Sequence, residues 1–326
     1  MIITQTPLRV SLLGGGTDFE DFYKEYGGAV LTTTIDKYVF VIVKERFDDK
    51  IVLNYSDRET VNDVKNIRHD LIRESMIMVG VEKGIEITTL ADIPSEGTGL
   101  GSSSSILVGL LHALYAYRGI LVTAEQLASQ ACHIEIDILK KPIGKQDQYI
   151  AAYGGFRLIK FSKSGIDVNL VDIEKKQRQN LNDSLLLFFT GITRDSSVVL
   201  SDQKSRISHN NVTLKKLTSL AEVGKVRLVD SAVNDIGKLL QDNWELKKML
   251  STRITNPEID EMYKLARNAG AIGGKITGAG SGGFMLLCVN DGKRDNVREA
   301  MKSYRELHFN LENDGSKIIF NCQRSN

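Results

Sequence analysis

The chain has 326 residues, 42% of them hydrophobic and only four of them proline, a composition typical of a globular protein long enough for two domains. Lysine and arginine number 42 against 41 aspartates and glutamates, for a net charge of +1, so the composition gives no overall attraction to nucleic acid. No apolar run reaches the roughly 18 residues of a membrane span, and no cleavable signal precedes the first strand pattern, so we expect a cytoplasmic protein without membrane association.

The first part of the chain is predicted to be mostly strand. Residues 34–43 are rich in β-branched and aromatic side chains, and this run ends at the charged segment 44–46. Residues 61–82 are a helical candidate, and residues 85–90 alternate between apolar and polar as a half-buried strand does.

The segment 94–105, PSEGTGLGSSSS, combines three glycines with a run of four serines. Apolar residues then recur at spacings of three and four through 106–114, which is the period of a helix with one buried face. Glycines let a loop approach a ligand closely, and the first N–H groups of a helix attract anions. A flexible linker has a similar composition, but the apolar sequence that follows at once favours a loop that binds a nucleotide phosphate.

The remaining elements divide the chain into two parts. A capping-box pattern at 123–126 opens a second helix. A charged stretch at 174–178 precedes a new apolar strand at 184–190, and amphipathic helices follow. The sequence therefore predicts a mixed α+β protein with an N-terminal domain over residues 1–180 and a C-terminal domain over residues 181–326.

Three isolated cysteines, Cys132, Cys288 and Cys322, have no C-x-x-C spacing. This sparse, odd set argues against a disulfide framework and against a zinc site. His133 follows Cys132, but neighbours on a helix point about 100° apart, so a nucleophilic Cys–His pair is not expected.

Two common phosphate-binding motifs are absent from the sequence. The Walker pattern G-x-x-x-x-G-K-[ST] needs a lysine in its glycine-rich loop, and segment 94–105 contains none. The glycine-rich pattern of protein kinases and their H-R-D motif are also missing. The loop therefore belongs to another class of phosphate-binding protein.

Three segments resemble the three motifs of the GHMP kinases, the superfamily named for galactokinase, homoserine kinase, mevalonate kinase and phosphomevalonate kinase. Segment 7–18 (PLRVSLLGGGTD) is similar to the first motif, segment 99–103 (GLGSS) to the second and segment 275–284 (KITGAGSGGF) to the third. On these motifs the chain is identified as a member of the superfamily. Membership implies ATP and Mg²⁺ as cofactors, an N-terminal domain of ribosomal-protein-S5-like type, a ferredoxin-like C-terminal domain and a site between the two.

Within the superfamily, the first motif discriminates between substrates. Galactokinases have Glu-His where this chain has Gly15 and Gly16, so the hexose contacts of those two side chains are missing. The triple glycine followed by Thr-Asp-Phe instead resembles the bacterial D-glycero-D-manno-heptose 7-phosphate kinases. Further resemblance to that branch lies in segments 54–56, 69–74 and 189–197.

The resemblance implies ATP-dependent phosphorylation of the anomeric C1 hydroxyl of D-glycero-D-manno-heptose 7-phosphate. The product would be the 1,7-bisphosphate, for nucleotide-heptose and surface polysaccharide biosynthesis. The expected partner is a small-molecule sugar phosphate, and a homodimer is left open. Two alternatives remain: another sugar-1-kinase, fucokinase-like or galactokinase-like, and a non-catalytic sensor that binds ATP and sugar on the same fold.

The resemblance also implies two catalytic residues. Asp147 matches the aspartate in the Met-Asp-Gln segment of galactokinase and would be the general base toward the acceptor hydroxyl. Arg9 would stabilise the charge that develops on the transferring phosphoryl group. The alternative interpretation of Asp147 is a solvated ion pair with Lys145 or Lys141.

Two residues are implied to bind magnesium. Glutamates of the family placed like Glu135 relative to the catalytic aspartate bind Mg²⁺, an ion that requires hard oxygen ligands. A serine hydroxyl would be the second ligand, and Ser103 matches the family position better than Ser102 does. The alternative for Glu135 is an ordinary carboxylate on a helix surface.

The remaining site residues are predicted to contact the nucleotide, the sugar or the phosphate group of the sugar. The nucleotide phosphates are expected at Gly97, Gly99, Leu100, Gly101, Ser102, Ser103 and Ser104. The sugar is expected at Gly15, Gly16, Thr17 and Asp18, and its phosphate at Thr193 and Arg194, with Arg73 and Lys37 as further candidates. Asp18 has a second interpretation as the N-cap of a helix beginning near Phe19. The glycines of the third motif are expected to form a tight turn beside the phosphate loop, and the role of Lys275 is left open.

Overall fold

The computed structural model describes residues 1–94, 97–193, 195–230 and 233–322. The elements of the first part are β1 (Ile2–Leu13), α1 (Glu20–Tyr26), β2 (Gly28–Glu45), β3 (Ile51–Asn54), β4 (Arg58–Val61), a 3-10 turn (Val64–Asn66), α2 (Asp70–Val79), β5 (Ile85–Ala91), α3 (Ser102–Tyr117), α4 (Ala124–Cys132), a π-helical segment (His133–Ile138), α5 (Gln146–Tyr153), β6 (Phe156–Ser162) and β7 (Gly165–Leu170).

The second part is richer in helix. Its elements are α6 (Lys175–Ser184), β8 (Leu185–Phe189), α7 (Ser196–Ser205), α8 (Asn211–Val229), α9 (Val233–Lys248), α10 (Pro257–Ala269), β9 (Ala271–Ile276), β10 (Phe284–Val289), a 3-10 turn (Asp291–Lys293), α11 (Arg294–Ala300), β11 (Leu311–Glu312) and β12 (Lys317–Asn321).

Strand β2 is the central strand of the larger of two sheets. Its 18 residues pair antiparallel with β1 along most of their length, with β6 at one end and with β5 at the other. The sheet order is β12-β1-β2-β5-β3-β4, with β7 joined through β6 and β11 joined to β2. The last two strands of the chain therefore lie in the larger sheet, and the division at residue 180 stays a prediction.

Helix α3 packs against β1 and β2, and this contact fixes the loop that precedes the helix. Its apolar face is fully buried, with Leu107, Leu110 and Leu114 at 0% exposure, and each buried leucine contributes roughly 1.5–3 kcal/mol. Gly109 permits the close approach, because a Cβ there would lie 2.6 Å from Oγ1 of Thr6 on β1. The helix predicted after the glycine-rich segment is thus confirmed, and it holds that segment beside β1.

Helix α9 packs closely on the smaller sheet, whose order is β8-β10-β9. A Cβ at Gly273 of β9 would lie 1.9 Å from the carbonyl oxygen of Gly237 in α9, so the two backbones touch. Trp244 on the same helix is fully buried. Together these contacts fix the rotation of α9 about its axis. That rotation decides which polar residues of the helix face β1.

The α+β class is confirmed, and two local predictions are corrected. The helical candidate at 61–82 is confined to α2 and preceded by a strand and a 3-10 turn. Helix α1 has Phe19 as its N-cap and no side-chain cap, so the N-cap interpretation of Asp18 is wrong. Among the helices of the described residues, none combines the length and the apolarity needed to cross a membrane.

A buried carboxylate explains why α2 begins late. Glu59 on β4 is 4% exposed and accepts hydrogen bonds from the Tyr55 hydroxyl (2.6 Å) and from the backbone N–H groups of Arg68 (2.8 Å) and His69 (3.2 Å). His69 in turn caps α2 by accepting a hydrogen bond from Ile72 N. The carboxylate therefore holds the segment before α2 in an extended conformation.

We expect Glu59→Ala to lower the free energy of unfolding by about 2–3 kcal/mol, because two backbone N–H groups lose their acceptor. Urea denaturation at neutral pH, followed by circular dichroism, measures this change. The matched control is Glu82→Ala on the nearby surface, where the glutamate is exposed and the change should stay within about 0.5 kcal/mol. Equal stability of the two variants would contradict the assigned role.

Candidate active site

One pocket lies where the three glycine-rich motifs meet. Both parts of the chain line it: Arg9 of β1, Asp18 just after that strand, and Asp147 of α5 come from the first part, and Lys247 of α9 comes from the second. Residues far apart in sequence therefore share one cavity, as ligand sites commonly do between the parts of a two-part protein.

The phosphate loop has the backbone of an anion cradle. Gly97, Gly99 and Gly101 all have positive φ, at 68°, 73° and 79°, a conformation that glycine adopts without the steric cost of a Cβ. A Cβ at Gly99 would lie 2.6 Å from the carbonyl oxygen of Thr277, and one at Gly101 would lie 3.1 Å from Cγ of Arg9. The loop therefore packs tightly on the third motif and on β1, and it leads directly into the N-terminus of α3, which faces the pocket.

Glu135 and Ser103 are neighbours at the edge of the pocket. The Ser103 hydroxyl donates to Glu135 Oε1 at 2.9 Å, and the Ser104 hydroxyl and the Gln148 amide donate to Oε2 at 2.7 Å and 2.6 Å. Glu135 is 1% exposed and lies in the π-helical segment, so its alternative interpretation as a surface carboxylate is wrong. Lys141 Nζ lies 3.5 Å from Oε1.

The Glu135 carboxylate and the Ser103 hydroxyl have the chemistry of a Mg²⁺ site whose other ligands come from a nucleotide. Mg²⁺ usually takes only one or two carboxylates from a protein, with phosphate oxygens and waters as its other ligands. Within the described residues no cluster of three His, Cys, Asp or Glu residues could hold a metal by itself. One buried carboxylate beside one hydroxyl at the phosphate loop fits a Mg²⁺ ion that is also coordinated by the phosphates of a bound nucleotide.

Arg9 and Asp147 form a bidentate ion pair at the centre of the pocket. Arg9 Nε donates to Oδ1 at 2.8 Å and Nη2 donates to Oδ2 at 2.6 Å, while Nη1 donates to the Gly99 carbonyl at 2.5 Å. Burial raises the pKa of Asp147, but the Arg9 guanidinium and a hydrogen bond from Gln146 outweigh it and hold the pKa below its usual value. The alternative pairing of Asp147 with a lysine is wrong: Lys145 lies near Glu20 instead.

Asp18 is a second carboxylate in the same pocket, with the opposite shift. It is 7% exposed and accepts hydrogen bonds from Gly16 N at 3.2 Å and Gln146 N at 3.1 Å. Its pKa is raised, mainly by burial and further by the negative charge of Asp147. Two carboxylates whose surroundings move their pKa values apart are typical of a site that gives them different roles.

Sequence reasoning missed two residues of α9 that reach the first motif. Asn243 accepts a hydrogen bond from Gly14 N at 2.9 Å, and Lys247, one turn later on the same face, donates to the Gly278 carbonyl and is 3% exposed. Burial and the positive charge of Arg9 lower the pKa of Lys247 to about 8, against the opposing effects of Asp18 and Asp147. The available signal was the amphipathic pattern of this helix, which does not by itself show which of its polar residues is buried in the pocket.

Several predicted contacts lie outside the pocket. Thr17 is fully buried, and its hydroxyl donates to the Gly14 and Ala29 carbonyls, so it stabilises the turn instead of facing a ligand. The Leu100 side chain is fully buried, and its carbonyl accepts a hydrogen bond from Arg9 N. Thr193 is exposed and does not line the pocket, and Arg194 lies outside the described residues.

The further phosphate candidates do not line the pocket either. Arg73 pairs with Glu74 and the Ile67 carbonyl, and Lys37 pairs with Asp36. The other predicted residues line the pocket as expected: Gly15, Gly16, Gly97, Gly99, Gly101, Ser102, Ser103 and Ser104.

The third motif packs on the phosphate loop, as predicted. A Cβ at Gly278 would lie 2.6 Å from Gly99 Cα, and one at Gly283 would lie 2.4 Å from the Thr98 carbonyl oxygen. Lys275 is 1% exposed and donates to the Leu12 carbonyl at 3.2 Å. It therefore joins β9 to β1 behind the pocket and has no access to a ligand.

Comparison with known proteins agrees with this arrangement. The GHMP kinases N terminal domain matches residues 62–155, and the GHMP kinases C terminal domain matches residues 227–306. The chain is 31% identical over 317 residues to D-glycero-alpha-D-manno-heptose 7-phosphate kinase of Campylobacter jejuni, covering 92% of this chain and 93% of that protein.

Two solved structures are similar along nearly the whole chain. The D-glycero-D-manno-heptose 1-phosphate kinase from Bacteroides thetaiotaomicron has a TM-score of 0.82 and 25% identity, covering 99% of this chain and 100% of that one. A putative sugar kinase from Campylobacter jejuni has a TM-score of 0.73 and 29% identity, covering 97% of each chain. With both domains matched in order around one pocket, the chain belongs to the GHMP kinase family, whose members are ATP-dependent phosphotransferases that act on an alcohol.

Proposed function

We propose that the chain phosphorylates the C1 hydroxyl of D-glycero-D-manno-heptose 7-phosphate, with ATP as donor and Mg²⁺ as the metal. The observation that carries the proposal is the Arg9–Asp147 pair, fixed between the phosphate loop and Asp18. The choice of sugar follows the relative from Campylobacter jejuni, which is aligned along 93% of its length.

The phosphate loop holds the donor. The N–H groups at the start of α3 and the hydroxyls of Ser102 and Ser103 face the pocket and bind the phosphates of ATP. Glu135 and Ser103 hold the metal, which when bound neutralises phosphate charge.

Arg9 and Asp147 act on the two reacting groups. The acceptor oxygen forms a bond to the γ-phosphorus, the bond from that phosphorus to the bridging oxygen of ADP breaks, and the hydroxyl proton passes to Asp147 and then to solvent. Arg9 keeps Asp147 ionised, because the guanidinium lowers the pKa of that carboxyl. Its Nη1 contact with Gly99 places the same guanidinium beside the phosphate loop, where it stabilises the transferring group.

Asp18 and the first-motif glycines hold the sugar. The two carboxylate oxygens of Asp18 accept hydrogen bonds from neighbouring sugar hydroxyls, and Gly15 and Gly16 leave the room that the Glu-His of galactokinase would occupy. Arg194, which lies outside the described residues, stays our predicted contact for the phosphate on C7, whereas Thr193 does not line the pocket. The possibility of a homodimer stays open.

We expect ATP turnover with Mg²⁺ to be confined to heptose 7-phosphate within a panel that also contains the unphosphorylated heptose, galactose, fucose and mevalonate. ADP release measured for each acceptor tests this. Preference for an unphosphorylated sugar would contradict the proposed substrate and favour another sugar-1-kinase. Nucleotide and sugar binding without turnover would favour a sensor.

Asp147→Asn should lower kcat by about 10²–10⁴-fold, because the amide cannot accept the proton. Steady-state kinetics with the accepted sugar measures the loss. Asp167→Asn, at an exposed position of β7, is the control and should keep the full rate. A kcat within twofold of that control would remove Asp147 from the mechanism.

Glu135→Gln should raise the Mg²⁺ concentration that gives half-maximal activity by about tenfold or more, because a neutral amide is a poor ligand for this ion. Activity is titrated against Mg²⁺ at saturating ATP, and the melting temperature is recorded in parallel. Asp137→Asn, in the same π-helical segment but exposed, is the matched control. An unchanged Mg²⁺ requirement in a stable Glu135→Gln variant would contradict the site.

A further inference from the structure

Lys247 is a buried cation in the pocket that none of the motifs explains. Its side chain is among the least exposed of the polar residues, at 3%, and its Nζ lies within hydrogen-bond distance of the Gly278 carbonyl. Within the described residues it forms no ion pair with a carboxylate. A buried ammonium without a direct counter-ion is costly, so its position indicates that an anion completes the site.

The location of Nζ identifies which part of the pocket it serves. A Cβ at Gly15 would lie 3.8 Å from Nζ, so the ammonium faces the main chain of the first motif. Its partner Gly278 packs against Gly99 of the phosphate loop. The ammonium therefore lies where the first motif, the phosphate loop and the third motif meet.

The other buried cations are bound to protein groups, whereas Lys247 has donors available for a ligand. Two arms of Arg9 are occupied by Asp147, and Lys275 is turned away to the Leu12 carbonyl. An ammonium has three donors, and within the described residues Lys247 uses one of them, toward the Gly278 carbonyl. Asp18 and Asp147 lie close enough to raise its pKa but do not contact it.

We propose that Lys247 is a further catalytic residue of this kinase, whose ammonium contacts the γ-phosphoryl group of ATP as that group passes to the sugar. The inference rests on the proposed function. The ammonium keeps its proton throughout: the acceptor oxygen bonds to phosphorus, ADP leaves, and the hydroxyl proton goes to Asp147. A fixed cation at the equatorial oxygens stabilises the charge that develops there, without reorganisation during the reaction.

Nucleotide affinity tests the contact without any sugar. Lys247→Met should weaken binding of the ATP analogue AMP-PNP by about tenfold or more, since a charge-assisted hydrogen bond is lost. Its affinity for ADP, which lacks the γ-phosphoryl group, should change by less than about threefold. Calorimetric titration with Mg²⁺ measures both. Equal effects on the two nucleotides would overturn the proposal.

Lys248→Met is the matched control. Lys248 is the adjacent residue of the same helix, but it pairs with Glu245 and does not line the pocket. This variant should bind both nucleotides as the unmodified protein does. Melting temperatures of both variants separate a loss of contact from a loss of folding.

Kinetics separates this role from recognition of the sugar phosphate. With the acceptor that the panel identifies, Lys247→Met should lower kcat by about 10²–10³-fold, leave KM for the sugar nearly unchanged, and be partly rescued by Lys247→Arg. A raised sugar KM with an unchanged kcat would assign Lys247 to the sugar phosphate and overturn the proposal. Failure of the unmodified protein on heptose 7-phosphate would contradict only the proposed substrate, because the AMP-PNP comparison is independent of it.

The pH profile gives a further readout. The pKa of Lys247 is lowered to about 8 by burial and by the positive charge of Arg9, with Asp18 and Asp147 opposing. Lys275 is a further buried cation close enough to interact electrostatically with Lys247, although its ammonium donates to the Leu12 carbonyl. Raising the pH removes the proton and with it the positive charge, so kcat/KM should fall above about pH 8 and the fall should move to higher pH in Lys247→Arg. The same alkaline limb in both proteins would exclude Lys247 as its source.

Discussion

The bidentate pair of Arg9 and Asp147 is the interaction on which the site depends. It joins β1, which carries the first motif, to α5, and the third arm of the guanidinium reaches Gly99 in the phosphate loop. The side chain of Arg9 is 4% exposed and that of Asp147 26%, so the pair is shielded on one side and open to the pocket on the other. Removing either partner would leave the other charge uncompensated at a largely shielded position, so each group holds the other in place before a substrate arrives.

Close backbone contacts between glycines bring the rest of the site to this pair. The third motif lies on the phosphate loop because Gly278 and Gly99 touch, and α9 lies on β9 because Gly237 and Gly273 touch. The first contact holds the third motif, which follows β9 of the smaller sheet, against the phosphate loop, and the second holds α9 on that sheet. Lys247 therefore reaches the first motif from an element that belongs to the other part of the chain, and the pocket acquires its second buried cation.

The sequence could predict most of the pocket residues that lie within motifs, and it could not predict those whose position depends on the rotation of a helix. Arg9, Asp147 and the glycines of the phosphate loop are set by local pattern and family resemblance, and all of them line the pocket. Thr17 was misassigned because a motif neighbour can be a structural hydrogen-bond donor as easily as a contact. Asn243 and Lys247 were missed because only the packing of α9 on the smaller sheet decides which of its polar residues are buried.

In the proposed reaction, donor, acceptor and charge stabilisation meet at one ion pair, with C1 of the sugar as the reacting position. The most direct test is ³¹P NMR of the product formed from heptose 7-phosphate, ATP and Mg²⁺. We predict a second phosphoryl signal coupled to the anomeric proton, appearing in step with ADP. Phosphate on any other carbon, or ADP formed with no new sugar phosphate, would contradict the proposed geometry of transfer.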